Sequence, residues 1–201
     1  MKVGDIMAVT ERDLRVAPWR RAATWVNESG DAVTASDVMH AAGLDWEVTK
    51  SPLTATVLTD SGVSTVEVPD RVATTRVNRD GSASVLGIVG DGYSIVQNMD
   101  IVSLIDGVTY EAGAVYDSAG ELKGGRRIYV AAKLPETVQI GGVDPCDTYL
   151  VATNSHDGTK SLEISIKHLR LKCLNGMRGW KNHSSIKLKH TLKMDGRACR
   201  S

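Results

Sequence analysis

The sequence predicts a single α+β domain built on a largely antiparallel sheet with a few short inserted helices. Three observations predict it. Runs rich in β-branched residues recur along the chain, turn residues separate consecutive runs, and two segments with helical spacing interrupt them. The 201 residues are enough for one domain with a proper core. Hydrophobic residues make up 42% and charged residues 24%, the balance of an ordinary globular protein. Phe is absent, so Trp, Tyr, Leu, Ile and Val must fill the interior.

Residues 1–33 read as a partly ordered N-terminal arm, because Trp19-Arg20-Arg21 and Trp25-Val26 show no long periodicity. The main domain spans 34–191. A short helix opens it, with Thr34 or Ser36 as cap, Val38, Met39 and Ala42 on one face, and Gly43 as stop. Strands follow at 53–59 and 63–68, joined by the turn Asp60-Ser61-Gly62. A third strand at 72–77 turns through Asn78-Arg79-Asp80-Gly81 into a fourth at 84–89. Asn98 reads as the cap of a second helix carrying Met99, Val102, Leu104 and Ile105, with Gly107 as its end. Strands return at 109–116, 126–134, 148–153 and 162–167, with Gly124-Gly125 and Gly141-Gly142 among the turns.

Two stretches near the C-terminal end alternate in character. Ile164, Ile166 and His168 alternate with Glu163, Ser165 and Lys167, as on a half-exposed strand. Beyond them, Leu169 and Leu171 would face inward with Arg170 and Lys172 outward. In Ile186-Lys187-Leu188-Lys189, the two lysines take one face and the apolar pair the other. Residues 192–201 read as a basic tail.

Composition also sets exclusions. No apolar run approaches the roughly 20 residues a membrane helix needs, and residues 1–6 lack the apolar stretch of a secretion signal. The expectation is a cytoplasmic protein with no membrane partner. Three cysteines, an odd number without a CxxC pair, argue against a disulfide framework or a structural zinc site. His156, Asp157, His168, Cys173, His183 and His190 show no standard ligand spacing, so neither metal nor other cofactor is expected.

The zero net charge hides an asymmetry. Residues 160–201 carry eleven Lys or Arg against Glu163 and Asp195, a net of +9, while residues 1–159 carry 13 basic and 22 acidic groups, a net of −9. A basic end on a neutral protein points to an anionic partner, or to a solvated or self-docked tail. Gly124-Gly125-Arg126-Arg127 leads two guanidinium groups into a strand, where neighbours face opposite ways. One would pair with an acid and the other would face outward, ready for a phosphate. Thr153-Asn154-Ser155-His156-Asp157-Gly158 offers Ser, His and Asp, but triads are assembled from distant positions. A tight turn is the favoured reading, with Asn154, His156 and Asp157 as a candidate ligand loop. Gly87-Ile88-Val89-Gly90-Asp91-Gly92 lacks the Walker lysine and the dinucleotide-binding spacing, and reads as a strand ending in a turn.

Five segments together resemble the phage/plasmid-like protein family, domain of unknown function 932. They are the stretch 42–48 with Pro52-Leu53, the stretch 86–98, the stretch 124–129 running to Leu134-Pro135, the stretch 153–158, and the stretch 169–175. They occur in the family's order and cover roughly 34–191. Members of that family usually continue beyond the His190-Thr191 region into a helical part, whereas this sequence ends at Ser201. The resemblance implies an origin in phages, plasmids or integrated elements. It also implies a role in DNA metabolism similar to that of strand-annealing proteins, which would form a ring or another homo-oligomer.

The combined expectation is a binding protein rather than an enzyme. Its ligand would be single-stranded nucleic acid, held without metal or nucleotide by charge neutralisation and stacking. Arg126, Arg127, Arg170, Lys172, Lys187 and Lys189 would contact phosphate, and Trp180 would stack. Two alternatives stand beside it: an interaction protein that binds an acidic protein through the basic end, and a hydrolase centred on His156 and Asp157.

Overall fold

A computed structural model describes residues 17–140, 144–170 and 182–190. A 3₁₀ helix, Pro18–Ala22, precedes β1 (Trp25–Val26), α1 (Ala35–Ala41), β2 (Thr49–Thr59), β3 (Gly62–Val77), β4 (Ala83–Gly90) and α2 (Asn98–Glu111). Then follow β5 (Val115–Leu122), β6 (Arg127–Ile140), β7 (Asp144–Ser155), β8 (Leu162–Arg170) and β9 (Asn182–Leu188). The strands form a six-stranded sheet in the order β1-β5-β6-β7-β8-β9 and a three-stranded sheet in the order β2-β3-β4. All pairings are antiparallel. The mostly antiparallel architecture with two helices agrees with the sequence expectation.

Both helices pack on one face of the larger sheet. Thr34 caps α1, its hydroxyl accepting from the Asp37 amide, and this turns Val38 and Met39 into the core. Ile101, Val102 and Ile105 of α2 meet them there, over Tyr116, Ile128, Val130, Leu150 and Leu162 of the strands. The opposite sheet face is covered by the 3₁₀ helix. Trp19 packs on Ala131, Tyr149 and Val151, and the Tyr129 hydroxyl donates to the Trp19 carbonyl at 2.6 Å. Arg20 meets the buried Asp117 carboxylate with both oxygens engaged at 3.1 Å. Residues 17–26, read from sequence as part of an arm, are thus members of this fold.

The structure revises several expected elements. Helix α2 runs through Gly107 to Glu111, and the strand expected from 109 begins at Val115. Burial of Ile101, Ile105 and Thr109 along one face carries the helix past a glycine that costs only about 1 kcal/mol in a helix interior. Gln97 stands at the N-cap, its amide donating to Asp100 at 3.0 Å. Asn98, expected as the cap, turns its side chain into the protein instead. The two strands expected at 63–68 and 72–77 are one strand, β3, whose register against β2 shifts between Pro52 and Thr54. Strand β2 starts at Thr49 and tolerates Pro52 because it lies on an edge.

Facing near the C-terminal end also differs. Ser165 is buried and Lys167 is half-buried, because Trp19 covers their face, with Lys167 Nζ 6.0 Å from the Trp19 ring centre. Ile186, read as lying on the face opposite Lys187 and Lys189, is 66% exposed. It sits on the edge strand β9, beyond the strands that α1 and α2 cover. Leu171 and Lys172 lie outside the described residues.

The smaller sheet crosses the turns at one end of the larger one. A Cβ on Gly87 of β4 would lie 2.5 Å from the Asp157 Cα, so the two backbones touch where only glycine fits. From β3, the Thr74 hydroxyl donates to the His156 carbonyl at 2.7 Å. This crossing positions everything described next.

Candidate functional site

The antiparallel register gathers several distant residues at that sheet end. Strand β6 begins there at Arg127, opposite Ser155 at the end of β7. Strand β8 begins there at Leu162, opposite Leu188 at the end of β9. The β5–β6 turn therefore brings Lys123 and Arg126, the β7–β8 turn brings Lys160, and the end of β9 brings Lys187 and Lys189. All five side chains are exposed. From β6 to β9 is three strand spacings, roughly 14 Å at about 4.8 Å per strand. Arg127 is half-buried and donates to the Thr159 hydroxyl at 3.0 Å. Lys187 stands opposite Glu163, which offsets part of its charge.

Arg170 is not in this group. It closes β8 opposite Cys146, eight residues from Leu162, about 26 Å away at roughly 3.3 Å per residue. Lys172 and Trp180 lie outside the described residues.

The 153–158 segment forms the end of β7 and a turn locked into the interior. His156 is 1% exposed. Its amide donates to the Arg126 carbonyl at 2.8 Å, and its Nε2 lies 2.8 Å from Asn98 Oδ1. The Asn98 amide nitrogen donates to the Leu44 and Trp46 carbonyls, so Oδ1 is left to accept and the proton sits on Nε2 of His156. Burial pushes the His156 pKa down to about 4, with the neighbouring His190 adding to the shift. The ring packs edge-on against Trp46, centroids 5.4 Å apart.

The Ser155 hydroxyl donates to Asp157, away from His156. Burial opposes ionisation of Asp157, but hydrogen bonds from Ser155 and Thr159, with Arg127 nearby, outweigh it and hold the carboxyl below its usual range. Asn154 is buried and donates to the Val96 carbonyl at 3.2 Å. These contacts make the segment a structural turn that ties β7 to the smaller sheet and to α2. Tyr93 closes it, donating to the Ser155 carbonyl at 2.8 Å and stacking on His190.

A second arrangement adjoins the same end and was not singled out in the sequence. Arg76 of β3 is paired through two nitrogens with Glu121 of β5, and its guanidinium carbon lies 4.5 Å from the Trp46 ring centre. The β5–β6 turn presses on it, since a Cβ on Gly125 would lie 2.6 Å from Arg76 Nη1. Trp46, Arg76 and Glu121 line an open cavity of about 500 Å³ that also holds the exposed pair Arg79 and Asp45 at 3.1 Å. Gly125 and Trp46 belong to the segments that carry the family resemblance. Nothing local in the sequence joins them to Arg76 or Glu121. Among the described residues, no group of three or more His, Cys, Asp or Glu is placed to hold a metal ion, and no helix is long and apolar enough to cross a membrane.

The fold and this sheet end define a mostly antiparallel α+β protein with five exposed basic side chains at the end of its larger sheet. Residues 85–200 match the family described as Domain of unknown function (DUF932), and the chain belongs to that family. The match includes α2, all strands from β5 to β9 and the turns that carry the basic residues. No curated protein and no solved structure matches the chain.

Proposed function

We propose that this protein binds single-stranded nucleic acid across the basic end of its larger sheet and promotes strand annealing. The observation that supports this reading is the gathering of exposed Lys123, Arg126, Lys160, Lys187 and Lys189 at one sheet end, in a chain whose residues 160–201 carry a net +9. Phosphates neutralised there release counterions, so charge alone supplies much of the affinity. Phosphate contact is assigned to Arg126, Lys187 and Lys189, with Arg127 held behind them by Thr159. A phage- or plasmid-type origin, a cytoplasmic setting and assembly into a homo-oligomer belong to the same reading.

The test is a titration with single- and double-stranded oligonucleotides at several salt concentrations. Single strands bind more tightly. If four phosphates are neutralised, the slope of log affinity against log salt is about −3, at roughly −0.7 per contact. No binding at low salt, or a slope near zero, overturns the proposal. Tighter binding to an acidic protein such as a polyglutamate chain would favour a protein partner for the same surface.

A further inference from the structure

We infer that the β2–β3 hairpin is an arm that docks on strand β9 of a second copy of this chain. The inference rests on the homo-oligomer in the reading above and names its contact. It is measured without nucleic acid, so the contact and the nucleic-acid reading can fail separately.

Projection comes first. Strand β4 pairs with β3 only from Arg71 to Val77. Beyond that point, Thr54 to Thr59 and Gly62 to Glu67 form a two-stranded ribbon. Six residues per strand carry its tip roughly 20 Å outward, at about 3.4 Å each. Every residue from Thr56 to Glu67 is exposed. Leu58 and Val63 face each other across the ribbon at 82% and 73% exposure, and Val57 and Val66 share the opposite face. Apolar residues scattered singly on a surface are ordinary, but four on one short ribbon mark a contact surface. A two-stranded hairpin is also marginal in water by itself, so a covering layer would steady it.

Charge selects the occupant. Residues 51–70 carry Asp60, Glu67 and Asp70, and neither Lys nor Arg. An acidic ribbon repels phosphates, and it repels a second arm of the same kind. Its complement needs cations, an exposed apolar group and an open strand edge. Strand β9 has all three. It is an edge strand of the larger sheet, Ile186 on it is 66% exposed, and the exposed Lys187 and Lys189 flank that side chain in sequence. Strand β2 is likewise an edge strand of its own sheet. The two edges join through main-chain hydrogen bonds, as when an added strand extends a sheet. Apolar arm residues then cover Ile186, and Asp60 and Glu67 approach the lysines. An arm and an edge are unlike surfaces, so copies link head to tail into rings or open chains.

The test is sedimentation velocity on the full chain at low salt, without nucleic acid. The wild-type protein sediments above monomer mass, increasingly so with concentration. Leu58→Thr with Val63→Thr blunts the arm, and Ile186→Glu blunts the β9 edge. All three positions are exposed, so both variants should keep the fold, which circular dichroism checks. Each variant by itself is a monomer. Mixed together they pair as a dimer, because one keeps its edge and the other keeps its arm. Asp60→Lys with Glu67→Lys is a second arm variant, reverses the charge match and is also a monomer. A wild-type protein that stays monomeric overturns the proposal, as does an assembly that both arm variants retain. An Ile186→Glu variant that still assembles, or a mixture that does not pair, overturns the assignment of the arm to β9. Each of these outcomes leaves the nucleic-acid reading to its own titration.

Discussion

His156 of the β7–β8 turn and Asn98 of α2 meet at 2.8 Å, and each is almost wholly buried. Asn98 spends its amide nitrogen on two backbone carbonyls, which fixes the imidazole proton on Nε2. The other ring nitrogen, Nδ1, is buried without a partner. Protonating it would place a charge with no acceptor inside the protein.

Stability should therefore fall with acid. The His156 pKa is lowered from 6.5 to about 4, mainly by burial. Between those values the unfolded chain binds more protons than the folded one, so falling pH favours unfolding. Stability is undiminished above about pH 6.5, and the loss grows through the window to about 3 kcal/mol at its acid end. Denaturant midpoints from pH 7 to pH 4 check it. His156→Gln, which cannot charge, should show a shallower decline over this range. Equal slopes for the two proteins would remove His156 as the cause.

The same residue separates stability from binding. His156→Ala removes the Asn98 contact and leaves a void beside Trp46, so it should destabilise by about 2–4 kcal/mol. Its side chain is 1% exposed and cannot touch a ligand without rearrangement. Affinity of the folded protein for oligonucleotides should change less than tenfold. A greater loss, with circular dichroism unchanged, would place the turn inside the binding site.

Much of the local structure was legible in the sequence because local chemistry produces it. Thr34 caps α1, Asp60-Ser61-Gly62 joins β2 to β3, and Asn78 to Gly81 turns β3 into β4, each through side chains a few residues apart. The misread positions depend on partners far along the chain. Asn98 looked like a helix cap until Leu44, Trp46 and His156 supplied its partners. Lys167 looked solvent-facing because nothing in β8 announces that Trp19 covers it. The candidate site divides in the same way. Arg126, Lys187 and Lys189 were visible as charges, but Arg170 was grouped with them by sequence proximity, and the register carries it to the far end of β8.

The crossing of the two sheets gives a controlled comparison on one strand. Gly87 and Gly90 both lie in β4. A Cβ at Gly87 would sit 2.5 Å from the Asp157 backbone, whereas one at Gly90 meets nothing within 4 Å. Gly87→Ala should destabilise by about 1–3 kcal/mol, because backbone must move to admit the methyl. Gly90→Ala should stay within about 0.5 kcal/mol of the parent. Thermal melts of the two variants check this. Similar shifts for both would mean that β4 does not press on the 156–158 turn as described.

The last prediction separates the two ends of the basic sheet. Lys187 and Lys189 are exposed at the end that also carries Arg126 and Lys160, whereas Arg170 lies at the other end of β8. Lys187→Glu with Lys189→Glu should spare the fold, since substitutions at exposed positions usually cost within about 0.5 kcal/mol. Lys187 does face Glu163 across β8, so reversing it alone adds one like-charge contact of modest size. For single-stranded DNA the double variant replaces two attractions with two repulsions. Its affinity at low salt should fall at least a hundredfold, and its salt slope should shrink by about 1.4, two contacts at roughly 0.7 each. Arg170→Glu alone should change affinity severalfold, through long-range charge that salt screens beyond about 10 Å. Oligonucleotide titrations from low to moderate salt, alongside circular dichroism melts, distinguish the two ends. If Arg170→Glu costs as much as the double lysine variant, the strand follows β8 lengthwise rather than crossing the sheet end.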